Sequence, residues 1–346
     1  MNDLKLPTAY QGDKEDNSIF VHKEWRKYCL LYCCIFPENH WISRRRMVRL
    51  LVAEGLVQEK AGEVMEDVAK EYINQFVNKG MLQLKEEEAN REMKLKVPSM
   101  HHKFLLSENL IFTITNADSI LPKTARRISN YTDIVKIASN VEELQPRYFC
   151  LEITAPPDGN SLDFQWAKFL RMLDLEDSGP KSLPDEIGNL IHMTYLGLKG
   201  TDIDQLPPKV GNLQYLQTLD IRRCRNFAEL STEVLKLAGL RSLKMFITFN
   251  GGGKKPPAGL SGWKNLQTLT GTHPGDTVAT ELGNLIRLRR LGLMDAAEEN
   301  ANEPFASIMK MQSLLSLSFE AKHSFNTQRI VLLESFSPPS FLRKLH

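Results

Sequence analysis

The residues with the most reactive side chains are two adjacent histidines, His101 and His102, and five cysteines, Cys29, Cys33, Cys34, Cys150 and Cys224. A histidine pair could hold a metal. Sequence neighbours point in different directions on any regular element, however, and no third ligand stands at a zinc spacing. An exposed pair is the competing reading. Cys29 and Cys33 are placed to share one helix face, where small buried hydrophobes are expected in place of a reactive pair. An odd cysteine count without a Cys-x-x-Cys motif fits reduced thiols inside a cell. A phosphate loop would read Gly-x-x-x-x-Gly-Lys-Ser/Thr, with backbone amides cradling phosphates. The run Gly251-Gly252-Gly253-Lys254-Lys255-Pro256 lacks the hydroxyl and puts proline where a helix should begin, so it reads as a loop insertion. No Gly-x-Ser-x-Gly elbow occurs. No enzyme is expected.

Charge offers two further candidates. Arg44-Arg45-Arg46 with Arg49 is a basic patch that could meet nucleic acid. Against this, the whole chain carries only +2, and arginines near a helix start oppose the macrodipole. Glu86-Glu87-Glu88 reads as a solvated hairpin tip. No apolar run reaches the roughly 18–20 residues of a membrane span. No basic-then-apolar signal region opens the sequence, and Asn130-Tyr131-Thr132 is one glycosylation sequon. A cytoplasmic protein is expected.

The elements that must position these residues announce themselves by repetition. Leu170-x-x-Leu173-x-Leu175 returns as Met193-x-x-Leu196-x-Leu198, Leu216-x-x-Leu219-x-Ile221 and Leu240-x-x-Leu243-x-Met245. It continues through Leu266, Leu288, Leu314 and Leu342, and Tyr148-x-x-Leu151-x-Ile153 precedes it. The first positions stand 22 to 28 residues apart, the period of leucine-rich repeats. The alternating part predicts a short strand, and returns such as Leu183-Pro184, Ile187 and Leu190 cover its back. No repeat can bury its own apolar face, so the repeats must stack into a solenoid. Ser178, Thr201 and Cys224 recur at one place and predict a structural ladder.

Outward strand positions then form one concave surface: Asp174 and Glu176, Tyr195 and Lys199, Asp220 and Arg222, Lys244 and Phe246, then Arg290. Mixed charge with scattered aromatics suits a protein partner better than a polyanion. At the end, Phe336, Phe341, Leu342 and Leu345 start a further repeat and are expected to be poorly covered.

Ahead of the repeats, residues 22–36 have helical spacing stopped by Pro37. A second helix is predicted from an N-cap at Ser43 to Glu54, and a third over about Glu63–Lys79. Leu82 and Leu84, then Met93, Leu95 and Val97, alternate as a β-hairpin. Three helices and a hairpin describe a winged helix. The division is 1–18 as a disordered leader, 19–103 as the winged helix, 104–147 as linker and first irregular repeat, and 148–346 as the solenoid. The fold class is α+β, a helical winged-helix domain followed by an α/β solenoid.

Three segments carry a resemblance. Cys29-Leu30-Leu31-Tyr32-Cys33-Cys34-Ile35-Phe36-Pro37-Glu38 is similar to the C-L-L-Y-x-S-I-F-P-E segment of plant intracellular disease-resistance proteins of the coiled-coil, nucleotide-binding, leucine-rich-repeat class. Arg46-Met47-Val48-Arg49-Leu50-Leu51-Val52-Ala53-Glu54-Gly55 resembles their R-L-V-R-L-W-I-A-E-G. Val68-Ala69-Lys70-Glu71-Tyr72-Ile73-Asn74 resembles V-A-E-E-Y-L-N. The resemblance covers about residue 19 to the end. It implies that Met100-His101-His102 stands where the family has Met-His-Asp, with His101 at the phosphate-sensing position and His102 in place of the aspartate.

The resemblance further implies an immune receptor-like protein in defence, lacking the ATPase core. Its expected partner is a pathogen effector, a guarded host protein or an intact receptor. Intact relatives use ADP or ATP; none is expected here, nor any metal. The alternatives are a winged-helix nucleic-acid binder and a non-functional truncated receptor.

Overall fold

The computed structural model of the chain describes residues 28–58, 60, 62–88, 92–107, 112–115, 127–130, 148–151, 164, 168–246, 255–273, 276–296, 306–321 and 337–345. The chain divides into two units, one running to Ile114 with 121–129, the other from Asn130 with 115–120. The expected leader at 1–18 and the glycine run at 251–254 lie outside the described residues.

In the first unit, residues 28–33 belong to helix α1, and a turn follows before Pro37. Strand β1, Ile42–Ser43, leads directly into helix α2, Arg44–Ala53. The Ser43 hydroxyl accepts from Arg46 N at 3.4 Å, as the expected N-cap. It also donates to the Glu92 carboxylate at 2.6 Å. An anion therefore stands beside the helix start, where the macrodipole favours it and disfavours the three arginines. Helix α3, Met65–Asn78, buries Val68, Ala69, Tyr72, Ile73 and Phe76 on one face. It begins two residues later than predicted, after Val64.

Strands β2, Gln83–Glu87, and β3, Glu92–Lys96, form the predicted antiparallel hairpin, and β1 pairs with β3. Glu86 and Glu87 belong to the ladder, opposite Met93 and Glu92, so the tip is shorter than the charge run suggested. The Lys85 and Lys96 ammonium groups lie 4.3 and 5.0 Å from the Trp41 ring centre. Helix α4, Ser99–Ser107, closes the winged helix. Short strands β4, Phe112–Thr115, and β5, Arg127–Asn130, occupy the region read as a linker.

In the second unit the expected strands follow one per repeat. They are β6, Tyr148–Leu151; β7, Met172–Asp174; β8, Tyr195–Gly197; β9, Thr218–Asp220; and β10, Ser242–Lys244. Then come β11, Thr268–Thr272; β12, Arg290–Ala296; β13, Ser316–Ala321; and β14, Lys344–Leu345. Each pairs in parallel with the next in chain order, and Leu173, Leu196, Leu219, Leu243 and Leu269 stand in one row. Every one of those leucines is fully buried.

On the other side of this core the returns are 3₁₀ turns, Asp185–Asn189, Pro208–Asn212 and Thr232–Lys236 among them. They stack closely enough that a Cβ at Gly188 would stand 2.5 Å from the Lys209 carbonyl oxygen. At the far end Phe341 and Leu345 are half exposed, as expected, and Phe336 lies outside the described residues.

Candidate protein-binding surface

The register sets the outward positions of the sheet into rows. Met172, Tyr195, Thr218, Ser242, Thr268, Arg290 and Ser316 form one row, joined pair by pair. Asp174, Gly197, Asp220 and Lys244 form the next. Glu176, Lys199, Arg222 and Phe246 follow two residues beyond. The concave candidates therefore lie together on one face, as the alternation required.

Their exposure differs from expectation. Asp174, Glu176, Tyr195, Lys199, Asp220 and Lys244 are all buried, and Phe246 and Arg290 are half buried. The charged side chains are engaged both across rungs about 4.8 Å apart and within a single repeat. Lys199 donates to the Glu176 carboxylate one repeat back. Arg222 forks onto Asp220, Nε to Oδ1 at 2.8 Å and Nη2 to Oδ2 at 2.6 Å. Asp174 and Asp220 each also accept from the backbone N–H two residues on, at 3.2 and 3.3 Å.

Sequence reasoning passed over Gly197. A Cβ there would stand 2.7 Å from the Tyr195 ring and hydroxyl and 2.9 Å from Asp174 Oδ1. The missing side chain is the space the tyrosine ring occupies. The signal was available: Gly197 falls at the outward position where both neighbouring strands carry aspartate. From Asp174 to Lys244 the face holds three carboxylates and three cations. Two of each are joined as ion pairs, and the formal charges of the six cancel.

The ladder beside the strands is as expected. The Ser178 hydroxyl donates to Leu175 O at 2.6 Å, and Thr201 to Leu198 O at 2.7 Å. The Cys224 thiol donates to the same Leu198 oxygen at 3.0 Å. Burial pushes this thiol up to about 11. Before each of the three stands a left-handed residue, Asp177, Gly200 or Arg223.

In the winged helix the candidates for chemistry are absorbed by the core. Cys29, Cys33 and Cys34 are buried and donate to backbone oxygens of Leu56, Cys29 and Leu30. Burial raises the Cys33 thiol well above its ordinary value, with its neighbours Cys34 and Cys29 adding to the shift, and pushes Cys34 up to about 12. These are packing groups, not nucleophiles. Arg46 and Arg49 are buried, with the Arg46 guanidinium 5.5 Å from the Phe36 ring centre. Arg44 bonds Asn74 Oδ1 at 2.7 Å, and its partial burial lowers its pKa. Arg45 alone of the four is exposed, so the patch offers no stripe of cations to a duplex.

Met100, His101 and His102 sit on α4. Met100 is exposed, His101 half buried and His102 buried. His102 Nε2 lies 2.8 Å from the Phe36 carbonyl oxygen, which can only accept, so Nε2 carries the proton. His102 thus pins α4 to the turn before Pro37. Among the described residues no His, Cys, Asp or Glu cluster could hold a metal. No described helix is long and apolar enough to cross a membrane.

Comparison with known proteins agrees with this architecture. The family model for a disease resistance protein winged helix domain matches residues 35–105, and that for a leucine-rich repeat region matches residues 153–346. The chain belongs to the plant disease-resistance proteins with leucine-rich repeats. It is 29% identical to disease resistance protein RPP13 of Arabidopsis thaliana over 83% of this chain and 34% of that protein. It is 31% identical to disease resistance protein Pik-2 of Oryza sativa subsp. japonica over 68% of this chain and 23% of that protein. The figures for disease resistance protein PIK6-NP of the same species are 31%, 56% and 19%. The chain spans about a third or less of the length of these disease-resistance relatives.

Proposed function

We propose that these residues serve a plant immune receptor as a non-catalytic recognition part, with the solenoid engaging a pathogen effector, a guarded host protein or an intact receptor. The observation that carries this reading is the succession, in one chain, of a disease-resistance winged helix and a leucine-rich repeat region. The concave row from Asp174 to Phe246, with Arg290 beyond, is the proposed contact face. Its paired charges would discriminate between partners, because a partner that separates Glu176 from Lys199 must supply replacements.

No phosphate loop occurs in the sequence, and His102 is engaged with Phe36. The reading therefore gives these residues no ADP or ATP of their own, and it places the protein in the cytoplasm. The test is transient expression in leaf tissue beside an intact receptor of the family and its effector. The chain is expected to alter the defence response. The pair Asp220→Lys with Arg222→Ala should abolish that effect, while Glu86→Lys in the hairpin should not. An unchanged response with the chain present overturns the reading.

A further inference from the structure

One edge of the solenoid has a composition unlike the rest of the chain. Each repeat enters its strand through a four-residue turn: 168–171, 191–194, 214–217, 238–241, 264–267, 286–289, 312–315 and 340–343. These segments contain seven lysines and arginines and no aspartate or glutamate. The whole chain carries only +2, so the remainder is net negative and the cations are concentrated here.

The segments are held in line. The Arg171 carbonyl oxygen accepts from Thr194 N and Tyr195 N, at 2.7 and 3.1 Å. The Thr194, Gln217, Arg241, Gln267, Arg289 and Leu315 oxygens each accept two N–H groups from the following repeat in the same way. Cations at Arg171, Arg241 and Arg343 thus occupy equivalent places along one edge, and all three are exposed. Among the described residues, no salt bridge engages them, nor Lys168 or Lys264.

Between the cations stand large exposed apolar groups at the same turn. Phe169 is 46% exposed, Tyr215 64%, Ile191 50% and Ile286 71%. Phe169 stacks on His192, with ring centres 6.0 Å apart and planes 7° apart. Phe169, His192 and Tyr215 each stand 23 residues from the next, so they form an aromatic row across three repeats. Exposed aromatics interleaved with arginine are the composition of protein interface hot spots. Ile191 and Ile286 offer nothing to a base or a phosphate, and one face of Phe169 is already covered by His192, which favours protein over nucleic acid.

We propose that this edge docks an acidic segment of a partner protein that carries apolar side chains between its carboxylates. The inference rests on the reading of the solenoid as a protein-binding part, and moves the first contact from the neutral concave face to the charged edge. A cationic edge free of carboxylates steers such a segment in, and the aromatic row then holds it.

The test uses the full 346-residue chain and a fluorescent peptide of about 20 residues that alternates glutamate pairs with leucine and phenylalanine, long enough to cross several repeats. Polyuridylate of the same charge is the comparison. The peptide should bind, more tightly at low salt. Arg171→Glu with Arg241→Glu should weaken it about tenfold, and Tyr215→Ala about threefold or more. Lys209→Glu on the back turn should leave it unchanged, and circular dichroism should find every variant folded. Peptide affinity indifferent to the arginine pair overturns the inference. So does polyuridylate binding that is tighter and lost in the same variant, which would make the edge a nucleic-acid surface. If Arg222→Ala weakens the peptide and the edge variants do not, the edge is wrong while the protein-binding reading stands.

Discussion

In the solenoid several side chains find a partner one repeat away. Glu176 with Lys199, Thr201 with Cys224, and Thr194 with the Arg171 carbonyl are each 23 residues apart. In the winged helix the separations follow no rule: 30 for Arg44 with Asn74, 49 for Ser43 with Glu92, and 66 for His102 with Phe36. The first region is a stack in which the backbone and ladder contacts recur from one repeat to the next. The second is a single core in which each polar contact is made once. A stack spreads a surface out in rows and keeps strain local, which suits recognition. A single core hides its charges, which explains why Arg46, Arg49, the thiols and His102 all end as structure.

The contrast can be broken most forcefully at the buried ion pair. Lys199→Ala leaves Glu176 charged and buried, and should cost about 3–5 kcal/mol. Urea unfolding should place the loss in the solenoid transition and leave the winged helix untouched. Replacing both residues together, Glu176→Gln with Lys199→Met, should cost less than Lys199→Ala alone. A double change costing the sum of the two single changes would mean that the pair is not a unit.

A smaller effect is expected in the winged helix. His102→Ala leaves the Phe36 carbonyl without its bond and should cost about 1–3 kcal/mol. His102→Gln, which restores a donor, should recover part of it. A thermal melt of the two variants checks this, and equal melting of both would assign the loss to packing alone.

A third test separates the regions by pH. Burial raises the folded value of Cys224 from 9.0 to about 11 and of Cys34 to about 12. Folding favours the protonated thiol, so this contribution is whole below the unfolded value near 9 and is lost as pH climbs toward the folded one. Each thiol removes about 1.4 kcal/mol per pH unit within its window. The Cys224 contribution should be fully lost by about pH 11, while that of Cys34 continues to fall toward pH 12. Cys224→Ala should flatten the solenoid's decline above pH 9, and Cys34→Ala that of the winged helix.

What could be read from the sequence divides along the same line. The leucine period located the strands, because one translation generates every neighbour. It also placed Ser178, Thr201 and Cys224 on one ladder. It did not reveal that Lys199 and Glu176 would bury each other, because alternation tells which face a residue takes and not how closely rungs pack. Gly197 escaped notice because its contribution is an absent side chain. In the winged helix the helices and hairpin followed from spacing. The fates of Arg46, Arg49 and His102 did not, since they depend on contacts between distant segments that leave no period in the chain.

The most direct test of the contrast is hydrogen exchange on Lys199→Ala. Protection should fall in residues 172–222, the repeats on either side of the broken pair, and fade with each repeat beyond them. Residues 42–107 of the winged helix should exchange as in the unaltered chain. Loss of protection spread evenly over both regions would contradict the account, because it would mean that the solenoid and the winged helix unfold as one.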